Sequence, residues 1–491
     1  MQWCKSDKNT NGGNVRSMKK VLITLVFFAL LSCKSDNKKI LTVQPESEFP
    51  NFIFILVDDQ GWNGTSVQMM ANDSLSKSDY YQTPNLEKLA AKGMIFSNAY
   101  AAAPVCAPSR YSIQFGQTPA RLSLVRVGMN SDHIDHENLT SIPKALKLIN
   151  PKYITAHFGK WGMGSNPETI GYDQSDGATQ NKEGGFVNNK TQWDFSVHKD
   201  PKQIFSLTDK ANEFMERSVK ENKPFYMQVS HYAVHSSLQM RQKSLDKYIE
   251  MEKGKYQNNP GLAAMTEDLD EGVGLVLEKM KSLGIENNTY IIYMSDNGGV
   301  PNIPGAKKYD NSYNYPLSRG KWDAMEGGVR VPLIINGPGI IAESENNIPL
   351  SSVDILPTIV DLANGKITLK NIDGGSFKDN LLGEENNEIK RPVEGIFFHV
   401  PYVNKIAIAR AHSAVRKGDF KLIKFRDNNQ VVLYNLKKDK KELINLSDSL
   451  PEKTKSLENI LENYLVSVHA PKWKQGINWK EKPLKEFNSS Y

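Results

Sequence analysis

The sequence predicts an α/β fold: a large, mostly parallel sheet covered by helices on both faces, followed by a smaller antiparallel sheet with one helix. Two observations predict it. Short apolar segments alternate with helical patterns over most of the 491 residues, and strand-like segments at short spacing follow from about residue 394. Hydrophobic residues make up 39% and charged residues 24% of the chain, which suits a folded core and excludes disorder and a polytopic membrane protein.

Polar residues follow each predicted strand of the larger sheet. The strands are Phe52–Val57, Ile154–Phe158, Phe225–Ser230 and Tyr290–Met294, with helices at Pro84–Gly93, Ile142–Ile149, Thr208–Lys220 and Ala263–Leu283. The polar residues that come after these strands are Asp58, Asp59, Lys160, His231, His235, Asp296 and Asn297. Because ligands of parallel sheets bind beyond the carboxyl ends of the strands, we expect these side chains to share one site.

The last part of the chain predicts a smaller α+β unit. Its strands are Gly395–Val400, Ala414–Arg416, Phe420–Lys424 and Val431–Asn435, and a helix is predicted at Lys453–Val468. The acidic, Asn- and Gly-rich stretch Leu381–Arg391 separates it from the larger sheet. We therefore place a catalytic α/β domain at residues 49–385 and a C-terminal subdomain at residues 386–491.

The N-terminus predicts export. Lys19 and Lys20 precede the apolar run Val21–Leu31, whose eleven residues suit a signal peptide and fall short of the roughly 20 needed to span a bilayer. The run ends at Leu-Leu-Ser-Cys33, which resembles a bacterial lipobox. We expect a signal peptide at residues 1–32, with Met18 as a candidate start, then lipid on Cys33 and a tether at 33–48 that anchors the protein to the cell envelope. An ordinary signal peptide with a chance cysteine is the alternative.

The positive net charge gives no argument for nucleic-acid binding. Residues 1–39 hold eight Lys/Arg and two Asp/Glu, which accounts for the whole net charge of +6. The rest of the chain is balanced, so no basic surface for nucleic acid is expected.

Cys106 is the one cysteine left in the folded body once Cys4 and Cys33 are set aside, so no intramolecular disulfide is available to it. A small buried core residue is the ordinary alternative to a chemical role, and the neighbours of Cys106 favour the chemical role. The cysteine opens the segment Cys106-Ala-Pro-Ser-Arg110, which resembles the Cys-x-Pro-Ser-Arg signature of the formylglycine-dependent sulfatases, in the alkaline phosphatase superfamily. The resemblance implies that a formylglycine-generating or anaerobic sulfatase-maturing enzyme oxidises Cys106 to formylglycine (3-oxoalanine). The hydrated aldehyde then supplies the nucleophile, and Arg110 holds it and offsets nearby charge.

The same resemblance implies the remaining site residues. The ligands of one calcium ion match Asp58, Asp59, Asp296 and Asn297, together with the modified Cys106. All are oxygen donors, as a hard cation requires. Lys160 and Lys321 match two lysines that bind sulfate, and His235 matches the histidine that protonates the leaving sugar oxygen. Further family landmarks are Glu326–Pro332 and the pattern Arg416-x-Gly418-x-Phe420-Lys421-Leu422.

The chain departs from the family pattern at Gly162, where Lys-Trp-His is usual. That histidine contacts the formylglycine hydroxyl, so its role falls to His133, His136, His157 or water. The signature also continues with Gln-Phe-Gly116 in place of Leu-Thr-Gly. His231 and His235 have the spacing of helical zinc ligands, but the strand before them and the missing Glu argue against zinc.

The long stretch Val300–Arg319 is expected at the edge of the site, where Tyr309, Tyr313 and Tyr315 could stack on sugar rings or pack the loop. An Asn- and Lys-rich lipoprotein of this kind resembles those of polysaccharide-degrading Bacteroidetes. The resemblance implies a sulfated algal glycan such as ulvan, carrageenan or fucoidan as substrate, with host glycosaminoglycans as the alternative. A phosphodiesterase of the same superfamily and a non-catalytic lipoprotein that binds sulfated glycans are further alternatives.

Overall fold

The computed structural model describes residues 49–301, 303, 312–384, 388–403 and 410–473. The predicted signal peptide, Cys33 and the whole tether at residues 33–48 lie outside these residues. Among the residues described, no helix combines the length and the apolar character needed to cross a membrane. Contacts group the chain from Glu46 onward into one compact unit, and the boundary at residue 385 stays a prediction.

Strands and helices alternate in chain order. The strands are β1 Asn51–Val57, β2 Met94–Phe96, β3 Ala99–Tyr100, β4 Ile154–Gly159, β5 Gln174–Ser175, β6 Ser196–Val197, β7 Phe225–Ser230, β8 Gln239–Met240, β9 Thr289–Ser295, β10 Leu333–Asn336, β11 Ser344–Asn346, β12 Leu350–Ser351, β13 Ile396–Val400, β14 His412–Lys417, β15 Phe420–Phe425 and β16 Val431–Asn435. The α-helices are α1 Pro84–Ala91, α2 Cys106–Phe115, α3 Ile142–Ile149, α4 Ile204–Lys220, α5 Gln242–Glu250, α6 Pro260–Ser282, α7 Glu326–Val329, α8 Ile355–Leu362, α9 Lys378–Leu381 and α10 Pro451–Ser467.

The large sheet is mixed and mostly parallel, as predicted. Its strand order is β11-β2-β10-β9-β1-β7-β4-β5. The central strand β1 pairs in parallel with β7 and β9, and β4 pairs in parallel with β7. The exception is β10, which runs antiparallel to β9 and β2.

The apolar composition of β1 explains why both faces of the sheet are covered. Successive side chains of a strand point to opposite faces. Ile53 and Ile55 therefore enter one hydrophobic core, which includes residues of α4 and α6. Phe52 and Phe54 enter a second core on the other face, which includes residues of α2, α3 and α8.

The smaller sheet is antiparallel, as predicted, with the order β13-β14-β15-β16. Helix α10 covers one face, where Leu457 and Leu461 share a core with Leu422 and Leu433. The other face shares a core with Tyr100 and neighbouring residues of the larger unit.

Candidate active site

The parallel strands end together, and this brings the predicted polar residues to one edge. Val57, the last residue of β1, is in register with Ser295 of β9. Gly159 at the end of β4 is likewise in register with Ser230 at the end of β7. The residues that follow these strands therefore leave the sheet side by side, as the sequence analysis expects.

Helix α2 places Cys106 and Arg110 beside these strand ends. Cys106 is the first residue of the helix and is buried. Arg110 lies one turn later on the same face. Its Nε and Nη2 lie 2.9 and 2.8 Å from Asp296 Oδ2, and its Nη1 donates to the backbone oxygen of Lys160 at 2.5 Å. The guanidinium thus joins helix α2 to the ends of β9 and β4.

Each of the two predicted lysines pairs with an aspartate. Lys160 Nζ donates to Asp58 Oδ2, and Lys321 Nζ lies 2.7 Å from both carboxylate oxygens of Asp59. Asn297 Nδ2 also donates to Asp59, at 2.8 Å. All these groups are buried, so the charges interact through a medium that screens poorly.

The oxygen atoms at the centre of this cluster fit a divalent cation. Asp58 Oδ1 and Asn297 Oδ1 are buried and have no hydrogen-bond partner among the described residues. Leaving such an acceptor unpaired costs about 1–3 kcal/mol, which a ligand can recover. Ligand atoms of Asp58, Cys106 and Asp296 lie within 4.8 Å of one another. Carboxylate and amide oxygens are the donors that calcium prefers.

Two acids of the cluster have pKa values shifted in opposite directions. Burial by itself raises the pKa of Asp58, but Lys160, His235 and Arg110 outweigh burial and hold that pKa well below its usual range. Burial and the charge of Asp58 instead raise the pKa of Asp296 to about 7. The pKa of Lys321 is lowered by burial and raised more strongly by Asp59, and the net shift is upward.

His235 lines a cavity of about 520 Å³ that also reaches Cys106, Lys160 and Lys321. Its Nδ1 lies 2.6 Å from the carbonyl oxygen of Ser236. Because a carbonyl only accepts, Nδ1 carries a hydrogen, and Nε2 is the atom left to act on a ligand. Nε2 lies 3.6 Å from Asp59 Oδ2, and burial, followed by Lys321, lowers the pKa of the ring to about 4.

None of the three alternative histidines lines this cavity. His133 Nε2 contacts Leu122 O at 2.9 Å. His136 Nε2 contacts Tyr111 OH at 3.0 Å, and His157 Nε2 contacts Ser230 Oγ at 3.0 Å. Gly162 does line the cavity, so the position of the usual histidine lies at the site but carries no side chain.

His231 follows β7 directly and is buried, and its Nδ1 has no hydrogen-bond partner among the described residues. Burial lowers the pKa of its ring to about 4. Neither His231 nor His235 lies on a helix, so the helical zinc spacing has no structural counterpart.

The tyrosines of the long loop have separate roles. Tyr313 is buried and its hydroxyl donates to Asn258 Oδ1 at 2.8 Å, so it packs the loop. Tyr315 stacks on Tyr256 with ring centroids 4.3 Å apart. Tyr309 lies outside the described residues.

The amide and aromatic residues that line the rest of the cavity are not predicted from the sequence. They are Gln180, Asn181, Phe186, Asn188, Gln192, Trp193 and Trp322. Most come from loop segments between β5 and β6, which carry no periodic pattern. A single amide or aromatic residue in a loop gives no sequence signal for a binding role, so only the fold could identify them.

Two family models match the chain. The Sulfatase model matches residues 50–365. The model described as N-sulphoglucosamine sulphohydrolase, C-terminal, matches residues 321–470. The two matches overlap over residues 321–365 and together span the large mixed sheet and the four-stranded antiparallel sheet.

Two characterised relatives carry sulfatase names. The N-acetylgalactosamine-6-sulfatase of Mus musculus is 28% identical over 353 residues, which cover 64% of this chain and 62% of the relative's length. The ulvan-active sulfatase of Formosa agariphila is 27% identical over 397 residues, which cover 75% of this chain and 70% of that protein.

The crystal structure of Ps i-CgsB has a similar fold. It superposes with a TM-score of 0.68 at 25% identity, and the match covers 85% of this chain and 92% of that one. The same protein has been solved in complex with k-i-k-neocarrahexaose.

Proposed function

The chain belongs to the sulfatase family of sulfuric ester hydrolases, and on that premise we propose that it removes sulfate from sulfated polysaccharides or their oligosaccharides through a formylglycine nucleophile and a calcium ion. The observation that carries the proposal is the cavity in which Cys106, Lys160, Lys321 and His235 meet. A sulfate ester is an anion that must be held by cations while a nucleophile attacks it, and the cavity offers both.

Each residue has a role in the proposed reaction. The calcium ion would be held by Asp58, Asp59, Asp296, Asn297 and the modified Cys106. When bound, it would stabilise the negative charge of the transition state, and the formylglycine at position 106 would supply the attacking oxygen. Lys160 and Lys321 bind the sulfate oxygens from the positions fixed by their aspartate partners. Arg110 holds the nucleophile in place beside Asp296. His235 acts in its imidazolium form: Nδ1–H stays on Ser236 O, and the proton on Nε2 passes to the leaving sugar oxygen, which leaves the neutral ring.

Marine algal glycans such as ulvan, carrageenan or fucoidan are the favoured substrates. The ulvan-active relative from Formosa agariphila and the oligosaccharide bound to Ps i-CgsB support this choice. Host glycosaminoglycans are the alternative, supported by the N-acetylgalactosamine-6-sulfatase relative. The proposal includes maturation of Cys106 by a formylglycine-generating or anaerobic sulfatase-maturing enzyme, and export with a lipid anchor at Cys33.

The test is free sulfate release from a panel of algal and animal sulfated glycans and their oligosaccharides. The enzyme is produced together with a maturation enzyme, and the Cys106→Ala variant is the control. We expect release by the parent and none above background by the variant, with equal thermal midpoints for both. Equal release by the two proteins contradicts the nucleophile assignment.

Two further outcomes separate the alternatives. Glycan binding without sulfate release, when the mass of the Cys106 peptide shows full conversion, favours the binding lipoprotein. Hydrolysis of a phosphate diester with two bound zinc ions favours the phosphodiesterase.

A further inference from the structure

The cavity has two unlike walls. The charged wall holds Asp59, Lys160, Lys321 and His235 beside Cys106. The adjoining wall contains amides and aromatic rings, which are Gln180, Asn181, Asn188, Gln192, Phe186, Trp193 and Trp322, and small or apolar residues complete the lining. Of the lining residues that the structure describes, only Lys160 and Lys321 have a permanently cationic side chain. Among the described lining residues, a second anionic group on the sugar would therefore find no further permanently cationic partner.

Both lysines are already engaged at the sulfate end of the cavity. Lys160 is paired with Asp58 and Lys321 with Asp59. A second anionic group on the same sugar ring, a carboxylate or another sulfate, would lose its hydration against amides and rings. Burying a charge without a partner is far more costly than burying a hydroxyl that finds an acceptor.

Asn181 has the one amide oxygen on this wall that is buried and unpaired among the described residues. Its Nδ2 lies 3.4 Å from His235 Nε2, so the amide group stands next to the atom that faces the leaving oxygen. The neighbouring amides are occupied: Gln192 Oε1 accepts from Ser236 Oγ at 3.0 Å, and Gln180 Nε2 donates to Met163 O at 3.2 Å. A hydroxyl on the carbon next to the ester is the donor that this oxygen lacks.

The aromatic residues fit the same kind of ligand. Phe186 contacts the ring of His235 edge-on, with centroids 4.8 Å apart, and Trp193 and Trp322 complete the wall. Aromatic rings present flat apolar surfaces, as do the faces of a sugar ring, and amides pair with its hydroxyl groups. The wall as a whole suits an uncharged sugar.

We propose that the sugar ring bearing the reacting sulfate is neutral, with no carboxylate and no second sulfate, and that Asn181 is a specificity residue that accepts a hydrogen bond from a ring hydroxyl beside the ester. The inference rests on the proposed sulfatase function and narrows its substrate class. It concerns the reacting ring alone.

The first test compares substrates. Monosulfated galactose and fucose represent neutral rings, sulfated glucuronate and iduronate represent charged rings, and disulfated galactose carries a second sulfate; each is tested at every available sulfate position. We expect kcat/KM for the best neutral monosulfate to exceed that for any charged or disulfated ring by about 100-fold. An equal or higher value for a uronate or a disulfated ring overturns the inference.

4-Nitrophenyl sulfate has no sugar, so its hydrolysis tests the sulfatase function independently of the preference for a neutral sugar ring. If the matured enzyme hydrolyses it and also prefers uronate sulfates, the neutral-ring inference fails while the sulfatase function stands. If the matured enzyme hydrolyses neither it nor any sugar sulfate, the proposed function fails and the inference with it.

The second test addresses Asn181 directly. Asn181→Leu keeps the branched shape of the side chain and removes its acceptor Oδ1 together with its donor Nδ2, and Asn188→Leu is the matched control from an exposed position on the same wall. We expect Asn181→Leu to lower the ratio of kcat/KM for the neutral sugar sulfate to kcat/KM for 4-nitrophenyl sulfate by about 10-fold or more. The control should change this ratio much less. An unchanged ratio in Asn181→Leu overturns the role of the residue.

Discussion

Gly162 shows how one residue shapes the site. Its φ is +71°, in the left-handed region that a residue with a Cβ rarely adopts. A Cβ built there would lie 3.0 Å from Arg110 Cδ and 3.6 Å from Lys160 Cε. A side chain at this position would therefore crowd Arg110, whereas its contact with Lys160 would be an ordinary one. With this backbone, a side chain at position 162 requires the Arg110 side chain to shift by a few tenths of an ångström.

Gly177 offers a matched control for this position. Its φ is +82°, and a Cβ there would have nothing within 4 Å. Gly162→Ala and Gly177→Ala should each lose about 1 kcal/mol of unfolding free energy from backbone strain. Only Gly162→Ala should also lose sulfatase activity, by about 10-fold or more, because it displaces Arg110. Urea denaturation and sulfate release measure the two effects, and equal activity of the two variants would argue against displacement of Arg110.

Asp296 is the residue on which metal binding is best tested. Asp296→Asn keeps an oxygen toward Arg110 and removes the charge that the cation requires. We expect the parent to hold one calcium ion and to lose thermal stability in a chelator, because a bound ligand stabilises the folded state. The variant should hold less calcium and respond less to the chelator. Elemental analysis and thermal melts check this, with Asp135→Asn as a surface control; full calcium content in Asp296→Asn would remove Asp296 from the ligand set.

The site residues at strand ends could be predicted from the sequence, whereas the amide and aromatic residues that line the rest of the cavity could not. Asp58 and Asp296 follow apolar strands that must lie side by side, so their meeting is a consequence of parallel pairing. Asn181 reaches the cavity through a loop whose path depends on the whole fold. The roles carried over from the family resemblance, including those of Lys160 and His235, stay predictions until they are measured.

At the scale of an element, helix α1 depends on a residue of helix α6. The residue before α1, Thr83, makes no side-chain cap, so the first N–H groups of the helix need another acceptor. Asp270 supplies it: the N–H of Asn85 donates to Oδ2 at 2.9 Å and the N–H of Leu86 donates to Oδ1 at 2.8 Å. The carboxylate is buried, and its negative charge interacts favourably with the positive N-terminal end of the α1 dipole.

Asp270→Ala should therefore destabilise the fold by about 2–3 kcal/mol, because two buried N–H groups lose a charged acceptor. Urea denaturation measures the loss. Asp246 is exposed on helix α5, so Asp246→Ala is the control and should change the free energy of unfolding little. A loss in Asp270→Ala no larger than that of the control would show that α1 does not depend on this cap.

The pH dependence of stability tests the same cap. Burial raises the pKa of Asp270 from 3.8 to about 6, while the amides of Asn85 and Leu86 oppose the shift. Because the folded state binds this proton more tightly than the unfolded state, the stability contributed by the proton is complete below pH 3.8 and is lost as the pH rises through about 6. Relative to Asp270→Asn, the parent should be more stable at pH 4.5 than at pH 7.5. A difference that does not change with pH would contradict the buried-acid account.

The sequence predicts long elements better than short ones. The apolar strands β1, β7 and β9 are buried on both faces and give continuous apolar segments. The short strands β2, β3, β5, β6, β8, β10, β11 and β12 have two to four residues each, too few to establish a pattern. Helix α2 is missed for another reason: most of its polar residues, including Arg110 and Gln114, are buried, so it lacks an amphipathic stripe.

At the scale of the whole molecule, the smaller sheet supports the segment that carries Lys321. Lys421 of β15 donates to Glu326 Oε1 and contacts Glu442 Oε1, each at 2.9 Å, and all three side chains are buried. Glu442 also accepts from the N–H of Glu326 at 2.8 Å and from the hydroxyl of Ser318. Ser318 and Glu326 flank Lys321 in the sequence, so Glu442 holds both sides of the segment that carries Lys321.

Glu442→Ala should therefore lower both stability and activity. Removing one member of a buried ion-pair cluster leaves charges without a partner and costs about 3–5 kcal/mol. The segment around Lys321 would lose two of its anchors, so kcat/KM for sulfate release should fall by about 10-fold at temperatures where the variant is folded.

Glu394→Ala is the matched control. Glu394 pairs with Lys417 of the smaller sheet at 2.6 Å in an exposed position, so this variant should change neither stability nor activity. If Glu442→Ala is destabilised but keeps the parent's activity when folded, the smaller sheet contributes stability alone and Lys321 is positioned by its own contacts, such as the bond from its N–H to Gly299 O.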